Sequence, residues 1–282
     1  MSENSGLVFD RVAADYDRVR SSYPASLVDA ACSTARLDRG SRVVEVGCGT
    51  GKLTGALVER GLHVDAVDPG AKLAEIARRR LGESLVRFHL GSFEAVELPV
   101  RAFDAVFSAT AFHWVDPAVS WAKAARLLRP GGALALLTHV GDMTELDPEW
   151  LAAWREVLPE AATWVSRDAK TLWDGAEARH ENVSELWSWL SKHDIARPEA
   201  AELFSAAEIT AVPIDKEQTA EESLALVRTS SSYIRLDAEC QRRLDQRLRA
   251  VIENAGGKVS SRTFATLVTA RVRPARREPE GP

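Results

Sequence analysis

With 282 residues, 45% of them apolar, the chain is long enough for one large domain or a core with an appendage. Its 36 basic and 41 acidic residues leave a formal net charge of −5, which provides no global basic field for nucleic acid or a membrane surface. Three cysteines without C-x-x-C spacing, no apolar run near the ~20 residues of a membrane span and no basic, apolar leader set the expectation of a reduced, cytoplasmic protein with neither a disulfide framework nor a metal site.

Residues 9–37 read as amphipathic helix and contain Tyr16, Arg20, Tyr23 and Pro24. A buried strand over Val43–Val46 then breaks into Gly47-Cys48-Gly49-Thr50-Gly51 and opens a helix over Leu53–Glu59. Glycines at every second position allow positive φ and the close approach of a ligand. The helix start turns N–H groups and a positive dipole end toward whatever sits above the turn. The next strand, Leu62–Val67, ends at Asp68, where a carboxylate can hold a ribose diol. Strand, glycine turn, helix, strand and acid together lay out a nucleoside-cofactor site.

A third strand, Leu85–Leu90, leads into Gly91-Ser92-Phe93. A fourth, Phe103–Phe107, continues as Ser108-Ala109-Thr110-Ala111-Phe112-His113-Trp114. A helix ends in Leu127-Leu128-Arg129-Pro130-Gly131-Gly132 and turns into a fifth strand, Ala133–Leu137. The tract from Gly141 to Pro198 shows no strand pattern and holds six of the eight tryptophans, which marks it as a helical, aromatic unit. A helix near Pro198–Ser205, a strand over Glu208–Ile214, helices over Glu221–Arg228 and Asp237–Asn254, and a strand over Thr263–Val272 complete the chain, with Gly256-Gly257 stopping the long helix.

Two common nucleotide fingerprints fail. The dinucleotide pattern G-x-G-x-x-G wants a third glycine where this chain has Lys52, and the phosphate loop wants Ser or Thr where it has Leu53. The spacing Gly47-x-Gly49-x-Gly51, with Glu45 two residues ahead, instead resembles motif I of the class I S-adenosylmethionine-dependent methyltransferases. The "A-F-H-W" run at Ala111–Trp114 and the "L-L-R-P-G-G" run at Leu127–Gly132 are similar to the type 11, small-molecule branch of that group, over Arg42 to His139. Phe9-Asp10-Arg11-Val12-Ala13-Ala14-Asp15-Tyr16-Asp17-Arg18-Val19-Arg20 matches its opening "F-D-x-x-A-x-x-Y-D-x-x-R". Arg228-Thr229-Ser230-Ser231-Ser232-Tyr233 resembles the trans-aconitate-methyltransferase-like members.

The resemblance implies an α/β fold: a Rossmann-like, seven-stranded, mostly parallel sheet with helices on both faces and a helical lid inserted after strand five. It divides the chain into an N-terminal helical lid segment (1–40), an S-adenosyl-L-methionine-binding core (41–140), a helical acceptor lid (141–198), a C-terminal completion of the core (199–273) and a disordered tail (274–282). It implies a cofactor site of Tyr16, Arg20, Glu45, Gly47, Cys48, Gly49, Gly51, Asp68, Pro69, Ser92, Phe93, Ser108 and Ala109. Tyr16 and Arg20 then lie near the methionine end. Many relatives carry Asp where this chain has Ser92, so the adenine amino group is held differently here.

The acceptor side rests on position. His113 follows strand four and His139 ends strand five, both at the carboxyl edge where open α/β sheets bind ligands, so each is a candidate base. A satisfied core histidine is the alternative for either. Trp114, and Trp150 with Trp154 on one helix face, are candidate acceptor contacts for an apolar or planar molecule; the alternative is that they cement a helical subdomain. A hydroxyl acceptor needs a base, a carboxylate does not. Strand four lacks an Asn-Pro-Pro-Tyr-like turn, which with the negative charge speaks against nucleic acid. The expected activity is methyl transfer to a carboxylate or hydroxyl of a small molecule. The alternatives are an NAD-dependent oxidoreductase and a non-catalytic, cofactor-binding regulator.

Overall fold

The computed structural model describes residues 5–274, so the tail expected from residue 274 lies outside the described residues but for Pro274. The chain opens with a short tight helical turn, Ser5–Val12, then α1 (Ala13–Val19) and α2 (Ala25–Thr34). The expected single helical segment is thus broken at Arg20–Pro24. Proline disfavours helix at the residue before it, and Arg20 is already extended.

The core follows as β1 (Arg42–Val46), α3 (Lys52–Glu59), β2 (His63–Asp68), α4 (Ala71–Leu81), β3 (Val86–Leu90), β4 (Phe103–Ala109), α5 (Pro117–Leu127) and β5 (Leu128–Gly141). The inserted tract forms α6 (Asp147–Arg155), α7 (Ala169–Glu177) and α8 (Val183–Ser191). Then come α9 (Ala200–Leu203), β6 (Glu208–Thr219), α10 (Ala220–Arg228), α11 (Ser231–Ile234), α12 (Ala238–Asn254) and β7 (Lys258–Arg271). The strands form one seven-stranded sheet in the order β3-β2-β1-β4-β5-β7-β6, in which β7 alone runs antiparallel to its neighbours.

The sheet is buried on both sides because its strands are apolar at successive positions and alternate between faces. Val43, Ala105, Ala135 and Leu137 pack under Leu27, Val28 and Ala31 of α2 and Leu53 and Leu57 of α3. Val44, Val106, Leu134 and Leu136 pack under Trp121 and Ala124 of α5 and Leu186 and Trp187 of α8. The insertion therefore lays α8 on a sheet face. A third cluster joins Ala153 and Trp154 of α6 to Leu224 of α10 and Leu244 and Leu248 of α12.

The last three strands are longer than the sequence suggested. The Leu128–Gly132 run, expected as a turn, already belongs to β5, because Leu128 pairs with Phe103 ahead of an irregularity in the ladder. β6 and β7 continue past the expected ends as a two-stranded ribbon to the pair Thr219–Lys258, whereas β5 makes its last pair at Gly141–Thr263.

Candidate functional site

The carboxyl ends of β1, β2 and β4 open onto two adjoining cavities. The larger, about 750 Å³, is lined by the glycine turn, Asp68, Pro69, Ser92, Phe93, the Ala109–Ala111 segment, Trp114 and the N-terminal Leu7, Phe9 and Tyr16. The smaller, about 250 Å³, is lined by Arg20, Tyr23, Glu45, Cys48, Lys52, His139 and Lys216 among others. Tyr16, Gly47, Gly49, Ala109 and Thr110 line both, so the cavities meet there.

The three glycines of the turn do three different things. Gly47, at φ +73°, has no room for a side chain: an added Cβ would stand 2.2 Å from the Cβ of Ala111. Gly49, at φ +54°, lines both cavities and has open space where a side chain would stand, so it leaves the backbone free for the close approach of a ligand. Gly51, at φ +80°, starts α3 and lets α4 close in, since its Cβ would meet Ala77 and Leu81 at 2.9 and 3.0 Å. Gly51 lines neither cavity, which corrects its expected place in the cofactor site: its role is the close packing of α3 and α4.

The turn's amides are already engaged. Gly47 and Cys48 donate to the Val67 carbonyl at 2.8 and 3.1 Å, and Gly49 donates to Asp68 Oδ2 at 2.7 Å. These three amides form no cradle for a pyrophosphate, in contrast to a dinucleotide turn. The cavity suits a nucleoside without one. Asp68 Oδ1 accepts from Gly70 at 2.7 Å, which leaves a further lone pair on each oxygen for ribose hydroxyls. Burial raises the pKa of Asp68, against the two amides and with nearby Asp10. Asp10 ties the N-terminal segment down by accepting from Lys72 and Leu73 at the start of α4, at 2.7 and 3.1 Å.

Phe9 meets Tyr16 and Trp114 edge-on, at 5.5 and 5.7 Å between ring centres, and the three form an aromatic wall. Arg20 lies 5.4 Å from the centre of the Tyr16 ring and donates to the hydroxyl and carbonyl of Thr229 at 3.1 and 2.9 Å. The α1 end is thereby pinned to the α10–α11 turn. Glu45 is buried and accepts from Thr54 at 2.6 Å; burial drives its pKa up to about 8. Burial likewise raises the Cys48 thiol well above its usual range, which fits a small residue in a tight turn and no redox role. Thr110 holds φ +54°, a rare conformation for a β-branched residue, at the junction of the cavities. Its amide donates to Leu137 at 2.8 Å and its hydroxyl lies 2.6 Å from that of Tyr23.

Four sequence expectations are corrected here. Ser108 is fully buried, donates to the Val46 carbonyl at 2.8 Å and lines neither cavity, so it fastens β4 to β1. His113 is buried, stacks on His193 with ring centres 4.1 Å apart, and also lines neither cavity; burial and then His193 push its pKa well down. Trp150 and Trp154 share a helix face, but that face packs against α10 and α12, away from both cavities. His139 does line the smaller cavity, stacked on Tyr23 at 4.5 Å. Burial, then Lys216 and Arg20, push its pKa down to about 4. Leu7, Phe9, Thr110, Tyr23 and Lys216 are lining residues that the sequence reading did not assign to the site; Phe9 and Asp10 stood in the N-terminal motif, Tyr23 in the helical segment, and Thr110 followed strand four.

The comparisons with known proteins agree with this geometry. Residues 44–136 match the family described as "Methyltransferase domain". An uncharacterized methyltransferase of Mycobacterium tuberculosis is 42% identical over 136 residues, 48% of this chain and 54% of that protein. A malonyl-[acyl-carrier protein] O-methyltransferase of Enterobacter lignolyticus is 33% identical over 165 residues, covering 57% of this chain and 63% of the relative. The chain thus spans only 54% to 63% of the length of these relatives. A solved structure from Anaeromyxobacter dehalogenans, described as a candidate type II methyltransferase, superposes with a TM-score of 0.55 at 24% identity, over 90% of this chain and 99% of that one, and so shares the fold. Residues 44–136 are thus similar to the methyltransferase-domain family, and the chain as a whole shares the fold of that solved structure.

Proposed function

We propose that the chain transfers a methyl group from S-adenosyl-L-methionine to an oxygen, of a carboxylate or a hydroxyl, on a small-molecule acceptor. The observation that carries this reading is the junction of the two cavities: a nucleoside-sized chamber with a buried ribose acid meets a smaller polar chamber at Gly47, Gly49 and Thr110. The cofactor supplies a methyl on a positively charged sulfur, and the electrons of the broken C–S bond stay on sulfur when the acceptor oxygen takes that methyl. Asp68, Pro69, Leu73 and Phe93 line the larger cavity, where Asp68 would hold the ribose and the other three would flank the base. Tyr16 and Arg20 would close the methionine end. Walls of this kind act by positioning and by excluding water. The amide pattern of the turn favours this cofactor over NAD.

Oxygen as the acceptor atom draws support from the similarity to the Enterobacter O-methyltransferase, and the branch resemblance at Arg228–Tyr233 points the same way. A small molecule is favoured over nucleic acid by the net charge of −5. The free thiols of Cys32, Cys48 and Cys240 suit work in a reducing, cytoplasmic setting. Among the described residues no helix is long and apolar enough to cross a membrane.

The test is to incubate the protein with S-adenosylmethionine and fractionated small-molecule extracts. Formation of S-adenosylhomocysteine matched by a compound one methyl group heavier supports the reading. Tight cofactor binding with no S-adenosylhomocysteine in any fraction favours the non-catalytic alternative.

A further inference from the structure

The smaller cavity reaches well beyond the glycine turn, to the ribbon of β6 and β7. Side chains along a strand alternate between faces, and directly paired residues share one. The pairs Val212–Ala265, Ile214–Thr263 and Lys216–Ser261 therefore form successive rungs on one face, and His139 joins the first through its pairing with Ala265. The rungs rise from the apolar core at Leu137, past His139, to the polar end of the ribbon. Ile214, Lys216, Gln218, Ser261 and Thr263 all line the cavity. Asp215 and Glu217 lie on the opposite face, where they pair with Arg262 at 2.7 Å and Lys258 at 2.6 Å.

Charge on the cavity side is one-sided. Lys52 pairs with Asp17 at 3.7 Å and Arg20 is spent on Thr229. Lys216 donates to the Ser21 hydroxyl at 2.6 Å and makes no ion pair among the described residues. Glu45 is the carboxyl group among the cavity's lining residues, and its burial favours the neutral acid at neutral pH. His139, whose basicity is lowered by burial, Lys216 and Arg20, stays uncharged. In a protein of net charge −5 this chamber presents Lys216 at its outer end and the Arg20 guanidinium, held by neutral partners, within, and its lining carries no ionised acid to offset them.

We propose that this ribbon face is the acceptor-recognition surface and that Lys216 holds a carboxylate of the acceptor at the outer end of the chamber. The acceptor then extends inward along Thr263 and Ile214 and presents its reacting oxygen near Thr110, where the two cavities meet. Lys216 is a specificity residue for an anionic small molecule. This assignment rests on the methyltransferase reading above, and it adds the substrate class and the residue that selects it.

The test uses the full chain saturated with S-adenosylhomocysteine and titrated calorimetrically with succinate, adipate and suberate, each beside its neutral diamide. At least one dicarboxylate should bind the wild-type complex roughly tenfold or more tighter than its diamide. Lys216→Gln should abolish that preference, Lys216→Arg should keep it, and the S-adenosylhomocysteine affinity of both variants should match wild type. A wild-type complex with no preference for any dicarboxylate overturns the proposal, as does a preference that persists in Lys216→Gln. Failure of the wild-type protein to bind S-adenosylhomocysteine would overturn the underlying methyltransferase reading instead, so the two failures are distinguishable.

Discussion

Asp68 accepts the Gly49 amide at 2.7 Å, so the acid that ends the second strand also clamps the middle of the glycine turn. The two halves of the cofactor motif, 19 residues apart in sequence, are one hydrogen-bonded unit. Replacing Asp68 releases the Gly49 and Gly70 amides together and removes the acid proposed to hold the ribose. Asp68→Ala should weaken S-adenosylmethionine and S-adenosylhomocysteine in parallel by ~1.5–3 kcal/mol, because both share the ribose. Titration of both ligands checks this. A loss confined to one of them would rule out a ribose contact.

The glycines separate binding from folding. Gly49→Val points a branched side chain into the cavity, and S-adenosylhomocysteine affinity should fall at least ~10-fold in a protein that stays folded. Gly47→Ala drives a Cβ into Ala111 and should instead lower the melting temperature. Paired measurements of Tm and Kd on the two variants should show these opposite profiles; equal affinity in Gly49→Val would remove the turn from the site.

Glu45 sets a pH dependence with a definite sign. Its folded-state pKa, about 8, stands above the ordinary carboxyl value. The group therefore contributes stability that is fully present below the unfolded pKa and is lost as pH rises through about 8. Between pH 5 and 9 the wild type should lose Tm relative to Glu45→Gln, whose amide keeps a partner for Thr54. Parallel Tm–pH curves for the two proteins would contradict a buried, neutral Glu45.

The histidines are expected to separate as well. His113 packs against His193 and lines neither cavity. His113→Ala should cost stability and leave S-adenosylhomocysteine affinity within about twofold. His139 remains neutral above about pH 4. With a carboxylate acceptor, His139→Asn should change kcat little and add no pH dependence. A loss of ~10²–10⁴ would instead identify His139 as the base for a hydroxyl acceptor.

The core was legible because its signals are local. Three alternate glycines, an acid at the next strand end and apolar runs at strand length mark the turn, Asp68 and the strands without knowledge of distant contacts, whereas the parallel sheet was implied by the family resemblance. The misplaced residues depended on partners. The spacing of Trp150 and Trp154 gave a shared face, yet only the fold shows that α12 covers it. His113 and Trp114 are neighbours in a tight turn, and one points into the core while the other lines the cavity. Ser108 looked equivalent to Ala109, but strand alternation turns it toward the Val46 carbonyl. The ribbon was missed because polar Asp215–Gln218 carries no apolar alternation; its strand character comes from pairing with β7.

The central claim is that the larger cavity holds S-adenosylmethionine, and calorimetric titration of the wild-type protein with S-adenosylmethionine and, separately, with NAD tests it most directly. The account predicts saturable, one-to-one binding of S-adenosylmethionine, weakened in Asp68→Ala, and no saturable binding of NAD. Binding of NAD in preference to S-adenosylmethionine would contradict it.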